Sequence, residues 1–486
     1  MYIKELSLKT DPDKIFSRLN NAPYPFWLDS GMDHHKLGRF SFMGADPFYQ
    51  IITQGSQTTV VDCLRGTREI SNQALFPLLD NLMSHWQRSK TTELPFEAGA
   101  VGYFGYELGH LIEKFPQTTI NDLQMPDAFL SFYDALLAID HLKQKLFIIS
   151  TGLPFDDKNT RKKRAVTRLN WLEKLIENEK NGDRPHFFGG KGQTCVLRYP
   201  EKTGSVPVFF NQKSSNFSYD HYIEAVKRIL EYIAAGDIYQ VNLSQRFAIE
   251  FTGNPRDFYR KFRTLSPAPF GAYLVTDNHI IMSNSPERYL LIKDDYIETR
   301  PIKGTRPRGG SPEIDEQLRQ ELINSGKDQA EHIMIVDLER NDLGRIAQYG
   351  TVHVPEMEIV ESYANVHHLV STVAARIEPT HSTVDCIVNS FPGGSITGAP
   401  KLRSMEIIDE LEPSCRGVYT GSIGYLDFSG DIDLNIAIRT AVHHQNTLYF
   451  QVGGGIVADS DPHLEYEETI TKAESFLKTL GKTNKE

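Results

Sequence analysis

The chain has 486 residues, 40% of them hydrophobic and 24% charged, which is typical of a soluble protein long enough for two or three domains. Its formal net charge of −11 opposes general binding to a nucleic-acid backbone, so we expect no nucleic-acid partner. The four cysteines match no disulfide framework or CxxC metal pattern, no apolar run is long enough to span a bilayer, and no signal peptide opens the chain. We therefore expect a reduced, cytoplasmic protein that does not act on membranes.

The first 150 residues carry short apolar runs broken by Gly, Pro and Asp, which predict mostly strands. An amphipathic helix is predicted at about residues 160–178, and the basic sequence RKKR at its start is interpreted as a solvated helix end rather than a binding patch. The stretch 189–216 is rich in Gly, Ser and Pro and is typical of a connector. We place an N-terminal region with its linker at residues 1–205 and a second domain at residues 206–486.

The ends of predicted helices are marked more clearly in the second domain than in the first. Helical spacing of apolar residues predicts a helix that ends at Gly236, and a capping-box pattern starts another helix, residues 325–344. Between them, residues 271–304 predict successive strands, which puts Lys303 just past a strand end, where folds commonly carry chemistry.

Strict alternation in the sequence DIDLNIAIRTA predicts a strand with Arg439 on its polar face. A final helix is predicted from about Leu464. Because strands and helices are mixed without regular βαβ alternation, the sequence predicts an α+β fold.

Lys303 stands among arginines in the segment RPIKGTRPRGG. This cation cluster has three interpretations: a phosphate or nucleic-acid patch, a hub of structural ion pairs, or a device that keeps one amine neutral. An ordinary lysine, with a pKa near 10.4, is almost entirely charged at pH 7. Partial burial, together with Arg300 and Arg306, would favour the neutral amine, which can act as a nucleophile.

Two glycine-rich segments allow close approach of a ligand to the backbone. The turn 393–398 precedes a predicted helix and is either an anion site or a plain helix start. It lacks the spacing of a P-loop, so a carboxylate fits better than a nucleotide. The glycines at 453–455 follow a predicted strand and indicate either a ligand approach or a simple bend.

Several carboxylates could bind a metal ion or act as a general acid. Glu331, Glu465 and Glu468 are predicted in first turns of helices, where they could simply complement the helix dipole. If the two helices converge, their oxygens would suit Mg²⁺. Glu287 lies between two predicted strands and is either a general acid or a turn residue. His367 and His368 are left open between structural and catalytic roles.

The segment from about residue 218 to 480 resembles the chorismate-utilising enzymes, a family that includes anthranilate, isochorismate, salicylate and aminodeoxychorismate synthases. The matching motifs include GDIYQVNLSQRF, SNSPERYL, RPIKGTRPRG, DQAEHIMIVDLERNDLGRI, FPGGSITGAPKLRSMEIIDELEP, DLNIAIRTA and GGGIVADSDPHLEYEETITKAE. The N-terminal half is similar to the family's N-terminal region through weaker motifs such as LDSG. The resemblance implies layered antiparallel β-sheets with flanking helices around one site in residues 206–486.

The resemblance also implies an activity. Anthranilate synthases typically carry Ala at the position of Lys303, whereas aminodeoxychorismate synthases carry Lys. The implied reaction is Mg²⁺-dependent amination of chorismate at C4 through a covalent Lys303 adduct, with Glu287 protonating the departing hydroxyl. The alternatives are the first component of an anthranilate synthase, or a chorismate-binding subunit without catalysis.

Further roles follow from the same resemblance. The implied Mg²⁺ ligands are Glu331 and Glu468, supported by Glu465, and the implied substrate-binding residues are Gly398, Arg439, Thr305, His368, Gly454, Gly455 and Lys472. No cysteine lies in a nucleophile elbow, so ammonia is expected from a separate glutamine amidotransferase subunit. Gly271 stands where anthranilate synthases carry Met in their tryptophan pocket, so strong tryptophan inhibition is not expected.

Overall fold

The computed structural model describes residues 1–177, 214–363 and 366–481. Within these ranges there are 23 strands and 11 α-helices. The strands form two large sheets, and every named strand pair is antiparallel. The predicted α+β fold with layered antiparallel sheets is therefore confirmed. Most of the predicted connector, Cys195 and the predicted boundary at residues 205 and 206 lie outside the described residues.

The first sheet has eleven strands. In spatial order they are β1 (Tyr2–Ser7), β10 (Lys145–Ser150), β9 (Ala135–Asp140), β3 (Phe40–Gly44), β2 (Phe26–Asp29), β12 (Phe270–Val275), β13 (His279–Ser285), β22 (Thr440–His444), β23 (Thr447–Ile456), β11 (Gln240–Glu250) and β19 (Gly398–Ala399).

The second sheet has twelve strands. In spatial order they are β16 (Ile302–Pro307), β18 (Val366–Arg376), β15 (Tyr296–Arg300), β14 (Arg288–Lys293), β21 (Ile432–Ile436), β20 (Ser422–Asp427), β7 (Gly99–Phe104), β8 (Ala128–Tyr133), β4 (Tyr49–Gln54), β5 (Gln57–Asp62) and β6 (Thr67–Ile70), while β17 (His353–Ser362) also pairs with β18.

The helices flank these sheets. They are α1 (Pro12–Leu19), α2 (Leu75–His85), α3 (Gly109–Ile112), α4 (Lys158–Glu177), α5 (Tyr219–Ala235), α6 (Pro255–Leu265), α7 (Pro312–Ile323), α8 (Gly326–Gly344), α9 (Thr383–Ser390), α10 (Lys401–Leu411) and α11 (Pro462–Thr479). None of the helices in the described ranges is long and apolar enough to cross a membrane.

The buried apolar residues form three clusters that define the layers. One cluster joins the inner faces of the two sheets, through residues such as Phe42 and Tyr425, whose rings lie 5.6 Å apart. A second packs α1, α4, α6 and α11 on the first sheet, and a third packs α2, α5, α9 and α10 largely on the second. The order is therefore helices, sheet, sheet, helices.

Both halves of the sequence contribute to each sheet. In the first sheet β2 pairs with β12, and in the second sheet β7 pairs with β20. Hydrogen-bonded strand pairs thus connect residues 1–205 with residues 206–486. The predicted boundary between these two regions remains a prediction.

Local signals at the helix ends agree with the structure. Gly236 follows α5 with φ +82°, a left-handed conformation that glycine adopts without strain. Ser325 caps α8 by accepting a hydrogen bond from the Asp328 backbone N–H at 3.3 Å, and the helix ends at Gly344 as predicted. Arg164 of α4, the last residue of the RKKR sequence, forms an ion pair with the buried Asp134, so its role is structural.

Candidate active site

Lys303 is the second residue of β16, an edge strand of the second sheet. Lys303 does lie just past the end of β15, as predicted, but the chain re-enters the sheet at Ile302, so Lys303 belongs to the next strand rather than to a loop. The register with β18 shifts between Ile302 and Thr305, where Gly304 has φ +81°. This bulge re-aims the side chain of Lys303 without ending the strand.

The arginines around Lys303 form structural ion pairs. Arg300 contacts Glu356 at 3.2 Å and Glu361 at 2.9 Å, and Arg306 contacts Asp328 at 2.8 Å. The hub interpretation therefore applies to the arginines, whose charges are compensated. They are not what makes the amine of Lys303 easier to deprotonate, contrary to the prediction.

Burial lowers the pKa of Lys303, and the nearby Lys472 acts in the same direction. Glu331, whose Oε2 lies 3.7 Å from Lys303 Nζ, opposes this shift. The result is a buried amine, with a lowered pKa, next to one carboxylate. Such an amine supplies its neutral, nucleophilic form more readily than an exposed lysine.

The glycines at 453–455 lie inside β23, opposite residues 242–244 of β11, so the simple-bend interpretation was wrong. A methyl group on Gly455 would lie 2.8 Å from Lys303 Nζ and 2.9 Å from Gln240 Nε2. On Gly454 it would lie 3.2 Å from Glu465 Oε2 and 3.6 Å from Glu468 Oε1. The missing side chains therefore leave room beside both the amine and the carboxylates.

The acidic residues are differently placed from the prediction. Glu331 and Glu468 are the sixth and seventh residues of their helices, in the second turn, so only Glu465 lies where the dipole explanation is strongest. Glu465 Oε1 accepts a hydrogen bond from Ser460 at 2.6 Å, and burial raises its pKa. Lys472 lies 2.6 Å from Glu468; together with Lys303 it outweighs burial and holds the pKa of Glu468 below its ordinary value.

These carboxylates suit Mg²⁺ only if a bound ligand and water supply the remaining oxygen atoms around the ion. Within the described ranges, no three His, Cys, Asp or Glu side chains meet closely enough to hold a metal ion by themselves. Glu465 and Glu468 nevertheless turn oxygens toward the same point beside Gly454. Because Mg²⁺ commonly binds through one or two carboxylates, an oxygen-rich ligand and water, this donor set suits it.

Glu287 joins β13 to β14 and is 4% exposed. Its carboxyl accepts a hydrogen bond from the Ile302 backbone N–H at 3.3 Å and another from the Ser395 hydroxyl. Burial raises the pKa of Glu287 to about 7, while these hydrogen bonds and Lys303 oppose the shift. A carboxyl with this pKa can donate a proton near neutral pH, which favours the general-acid interpretation over a plain turn residue.

Arg439 lies between β21 and β22 with φ +48°, not on the polar face of a strand as predicted. Burial lowers the pKa of its guanidinium, and no residue in the described ranges forms an ion pair with it. A desolvated cation without a carboxylate partner is suited to receive an anion from outside the chain.

Thr305 and His368 form a polar pair across β16 and β18, with Thr305 Oγ1 2.8 Å from His368 Nδ1. Burial lowers the pKa of His368 to about 3, with Arg439 acting in the same direction, so the ring is neutral. Its Nε2 is buried and has no hydrogen-bond partner among the described residues. The neighbouring His367 is instead held by Asp315 and Ser362 and is structural.

Gly398 belongs to the short strand β19 and has φ +147°. A methyl group there would lie 2.2 Å from the Gln240 carbonyl oxygen and 2.6 Å from Ser404 Oγ, so only glycine fits. Lys472 Nζ donates a hydrogen bond to the Gly453 carbonyl of β23 at 2.8 Å.

Sequence reasoning missed Gln240 and Ser395. Gln240 is fully buried, yet both atoms of its side-chain amide lack a hydrogen-bond partner among the described residues. It lies beside Lys303, across the space that Gly455 leaves open. No periodicity marks either residue, because each becomes part of the site only through strands and turns distant in sequence.

The sequence profile of the chorismate binding enzymes matches residues 23–478, nearly the whole chain. The chain belongs to this family. The first component of aminodeoxychorismate synthase from Salmonella typhimurium is 40% identical over 96% of this chain and 95% of its own. The first component of anthranilate synthase from Acetivibrio thermocellus is 36% identical over 96% of this chain and 92% of its own.

A solved structure supports the same assignment. Component I of anthranilate synthase from Streptococcus pneumoniae matches this chorismate binding enzyme with a TM-score of 0.77 and 32% identity, over 92% of this chain and 95% of the other. The chain is therefore a chorismate-utilising enzyme, and its relatives include components of aminodeoxychorismate synthase and of anthranilate synthase.

Gly271 lies apart from these residues, beside a cavity of about 320 Å³ between the sheets. A methyl group on Gly271 would lie 2.8 Å from the Tyr259 hydroxyl, so a larger residue does not fit without rearrangement. The cavity is lined in part by Leu28, Phe270 and Asn435, and by none of the predicted site residues.

Proposed function

We propose that this chorismate-utilising enzyme aminates chorismate at C4 to give 4-amino-4-deoxychorismate. The observation that carries the proposal is the buried amine of Lys303, with a lowered pKa, set beside the glycines of β23 and close enough to the acid Glu287 for their charges to interact. An alanine there would supply no nucleophile. The 40% identity to an aminodeoxychorismate synthase component supports the same choice.

In the first step, neutral Lys303 attacks C2 of chorismate. A bond forms between Nζ and C2, both conjugated double bonds of the ring shift by one position, and the C4–oxygen bond breaks. Glu287 gives its proton to the departing hydroxyl, which leaves as water. A carboxyl group with a pKa of about 7 holds that proton near neutrality and can release it to the leaving group.

In the second step, ammonia attacks C4, both ring double bonds shift back, and the C2–Nζ bond breaks. The electron pair of the C2–Nζ bond returns to the nitrogen, so Lys303 leaves as the neutral amine, and the proton lost by ammonia restores Glu287. Chorismate and ammonia are thereby converted to the aminated product and water. Two allylic displacements replace one difficult substitution.

Arg439 and His368 would bind a carboxylate of the substrate, since one offers an unpaired guanidinium and the other a ring nitrogen without a partner among the described residues. Glu331, Glu465 and Glu468 would hold Mg²⁺, which screens the negative charge of the ring carboxylate. Lys472 ties this acidic group to β23 through the Gly453 carbonyl.

Ammonia would come from a separate glutamine amidotransferase subunit. The relatives' designation as component 1 supports a second component. Burial raises the pKa of Cys63, Cys386 and Cys415 to about 12, so none of these three thiols is a ready nucleophile for glutamine. The purified chain is expected to use free ammonium without its partner.

The test is product analysis by chromatography with mass detection. Purified chain is incubated with chorismate, Mg²⁺ and ammonium at mildly alkaline pH, with EDTA in a parallel sample. The expected result is metal-dependent 4-amino-4-deoxychorismate that retains its pyruvyl group. The variant Lys303→Ala serves as the matched control and is expected to form none.

Two other outcomes would overturn the proposal. Anthranilate together with free pyruvate would identify the anthranilate reaction, for which the relative at 36% identity is the precedent. Tight chorismate binding without turnover, with or without an amidotransferase, would identify a non-catalytic subunit.

A further inference from the structure

The chain passes between the two sheets at two neighbouring places. One connection runs from β13 in the first sheet to β14 in the second and contains Glu287. The other runs from β21 in the second sheet to β22 in the first and contains Arg439. The two connections are joined by hydrogen bonds, so the proposed acid and the Arg439 guanidinium are carried by adjoining segments of the chain.

The hydroxyl of Ser285, the last residue of β13, joins these two connections. It donates a hydrogen bond to the Ile436 carbonyl at 2.6 Å and accepts one from the Glu287 backbone N–H at 3.2 Å. The intervening Pro286 has no N–H, so the hydroxyl meets the next donor along the chain. The Ile436 N–H donates to the Glu287 carbonyl oxygen at 3.0 Å. Both backbone polar groups of Glu287 are therefore bound, one through Ser285 and one to Ile436 itself.

The position of the Glu287 carboxyl depends on this backbone, because Glu287 and Ser285 are both buried. The carboxyl accepts the hydrogen bond of the Ile302 N–H at 3.3 Å, and Ile302 directly precedes Lys303 in β16. Holding the backbone of Glu287 therefore holds the acid relative to the strand that carries the amine. A displacement of about 1 Å in such an arrangement can cost about 100-fold in rate.

We propose that Ser285 is a positioning residue for Glu287, holding the backbone of the acid against Ile436 so that the carboxyl stays on the Ile302 N–H, next to Lys303 in the chain. The inference rests on the proposed function for its catalytic meaning. The placement of the carboxyl by Ser285 is a property of the free protein, and it can be measured without substrate.

Ser283, two residues earlier on β13, provides a matched control. It is as fully buried as Ser285, and its hydroxyl lies 2.8 Å from Thr440 Oγ1 at the end of the second connection. This contact does not involve Glu287. Thr440 also has a hydrogen bond to the Ile438 carbonyl at 3.1 Å, which Ser283→Ala leaves in place. Ser283→Ala and Ser285→Ala thus remove the same group from equally buried positions, and only the second group contacts the acid.

The first measurement is the rate of amination with ammonium. Ser285→Ala should lower kcat by about 10- to 100-fold, because the acid is no longer held in place, whereas Ser283→Ala should stay within about 2-fold of the wild type. Ser285→Cys, whose thiol fills the same place with a weaker hydrogen bond, should show a smaller loss. In a Glu287→Gln background, which has no acid to position, adding Ser285→Ala should lower the remaining rate by less than about 2-fold. A purely structural loss would be the same in both backgrounds.

A second measurement does not depend on turnover. Hydrogen exchange of the free protein, followed by mass spectrometry with fragmentation to single residues, reports the protection of the Ile302 N–H, whose acceptor is the Glu287 carboxyl. Glu287→Ala sets the exchange rate that results when this acceptor is absent. Ser285→Ala should raise the rate at Ile302 toward this limit, by about 10-fold or more, and Ser283→Ala should leave it at the wild-type value.

The outcomes are distinct. An Ile302 exchange rate that is the same in Ser285→Ala and wild type overturns the inference, and so does an equal rise in Ser283→Ala. Equal losses of kcat from Ser285→Ala in the wild-type and Glu287→Gln backgrounds overturn it as well, since Ser285 would then act on the fold as a whole. A wild type that does not aminate chorismate, with faster exchange at Ile302 in Ser285→Ala but not in Ser283→Ala, refutes the proposed function and keeps the placement of Glu287 by Ser285.

Discussion

Replacing Gly455 by alanine tests whether the space beside Lys303 is the reaction site. The new methyl group would lie 2.8 Å from Lys303 Nζ and 2.9 Å from Gln240 Nε2, whereas ordinary contacts at such a carbon are 3.4–4 Å. The amine must therefore move by about 1 Å, a displacement that can cost about 100-fold in rate. This corresponds to about 2.7 kcal/mol of transition-state stabilisation.

The assay is the initial rate of 4-amino-4-deoxychorismate formation with ammonium, together with a thermal unfolding curve. We expect the rate to fall by about two orders of magnitude while the unfolding midpoint changes little, because Gly455 has no left-handed φ and its neighbours are side-chain ends. Gly326→Ala is the control, since a methyl group there meets nothing within 4 Å. A Gly455→Ala enzyme with wild-type rate would refute the placement of Lys303 in the site.

Five further predictions concern four single residues. Lys303→Ala should lower the amination rate by about 1000-fold or more and yield no chorismate-derived mass on the chain when ammonia is withheld; full activity would exclude the covalent mechanism. Burial raises the pKa of Glu287 from its ordinary 4.5 to about 7, so the rate should fall above pH 7 as the acid ionises. The same shift stabilises the folded protein fully below pH 4.5, and this contribution is lost as the pH rises through 7. The free energy of unfolding of Glu287→Gln, measured with denaturant, should therefore rise by about 3 kcal/mol relative to that of the wild type between pH 4 and 8. Parallel dependences of the two free energies on pH would contradict this. Arg439→Met should raise the KM for chorismate by about 10- to 100-fold and raise the unfolding midpoint, because an uncompensated buried cation is removed; a lower midpoint would show a hidden partner. Glu468→Gln should raise the Mg²⁺ concentration for half-maximal rate by about 10-fold or more, while Glu474→Gln on the same helix, where Glu474 pairs with Lys478, should not.

The helix ends were predictable from the sequence because they are local. Ser325 and Gly344 delimit α8, and Gly236 ends α5, through capping contacts between residues only a few positions apart. The strand-rich first half was predictable for the same reason, since short apolar runs between turn residues specify strands wherever the chain goes.

The positions of Lys303 and Arg439 were predicted less well. Arg439 was assigned from alternation of side chains, which assumes a continuous strand, and Lys303 from the order of successive predicted strands. A register shift at β16 and a left-handed residue between β21 and β22 interrupt that regularity, and neither leaves a periodic signal.

The sequence by itself determined the residue types of the site and, through its motifs, the family. Only the tertiary structure decided which of these groups lie close together and which protonation state of each is favoured there. Gln240 lies on β11 of the first sheet, Lys303 on β16 of the second, and Glu287 in the connection between β13 and β14, so their burial depends on contacts between segments far apart in the chain. Because burial is what shifts the pKa values of Lys303 and Glu287 toward their proposed roles, their chemistry follows from the packing of the two sheets rather than from any local pattern.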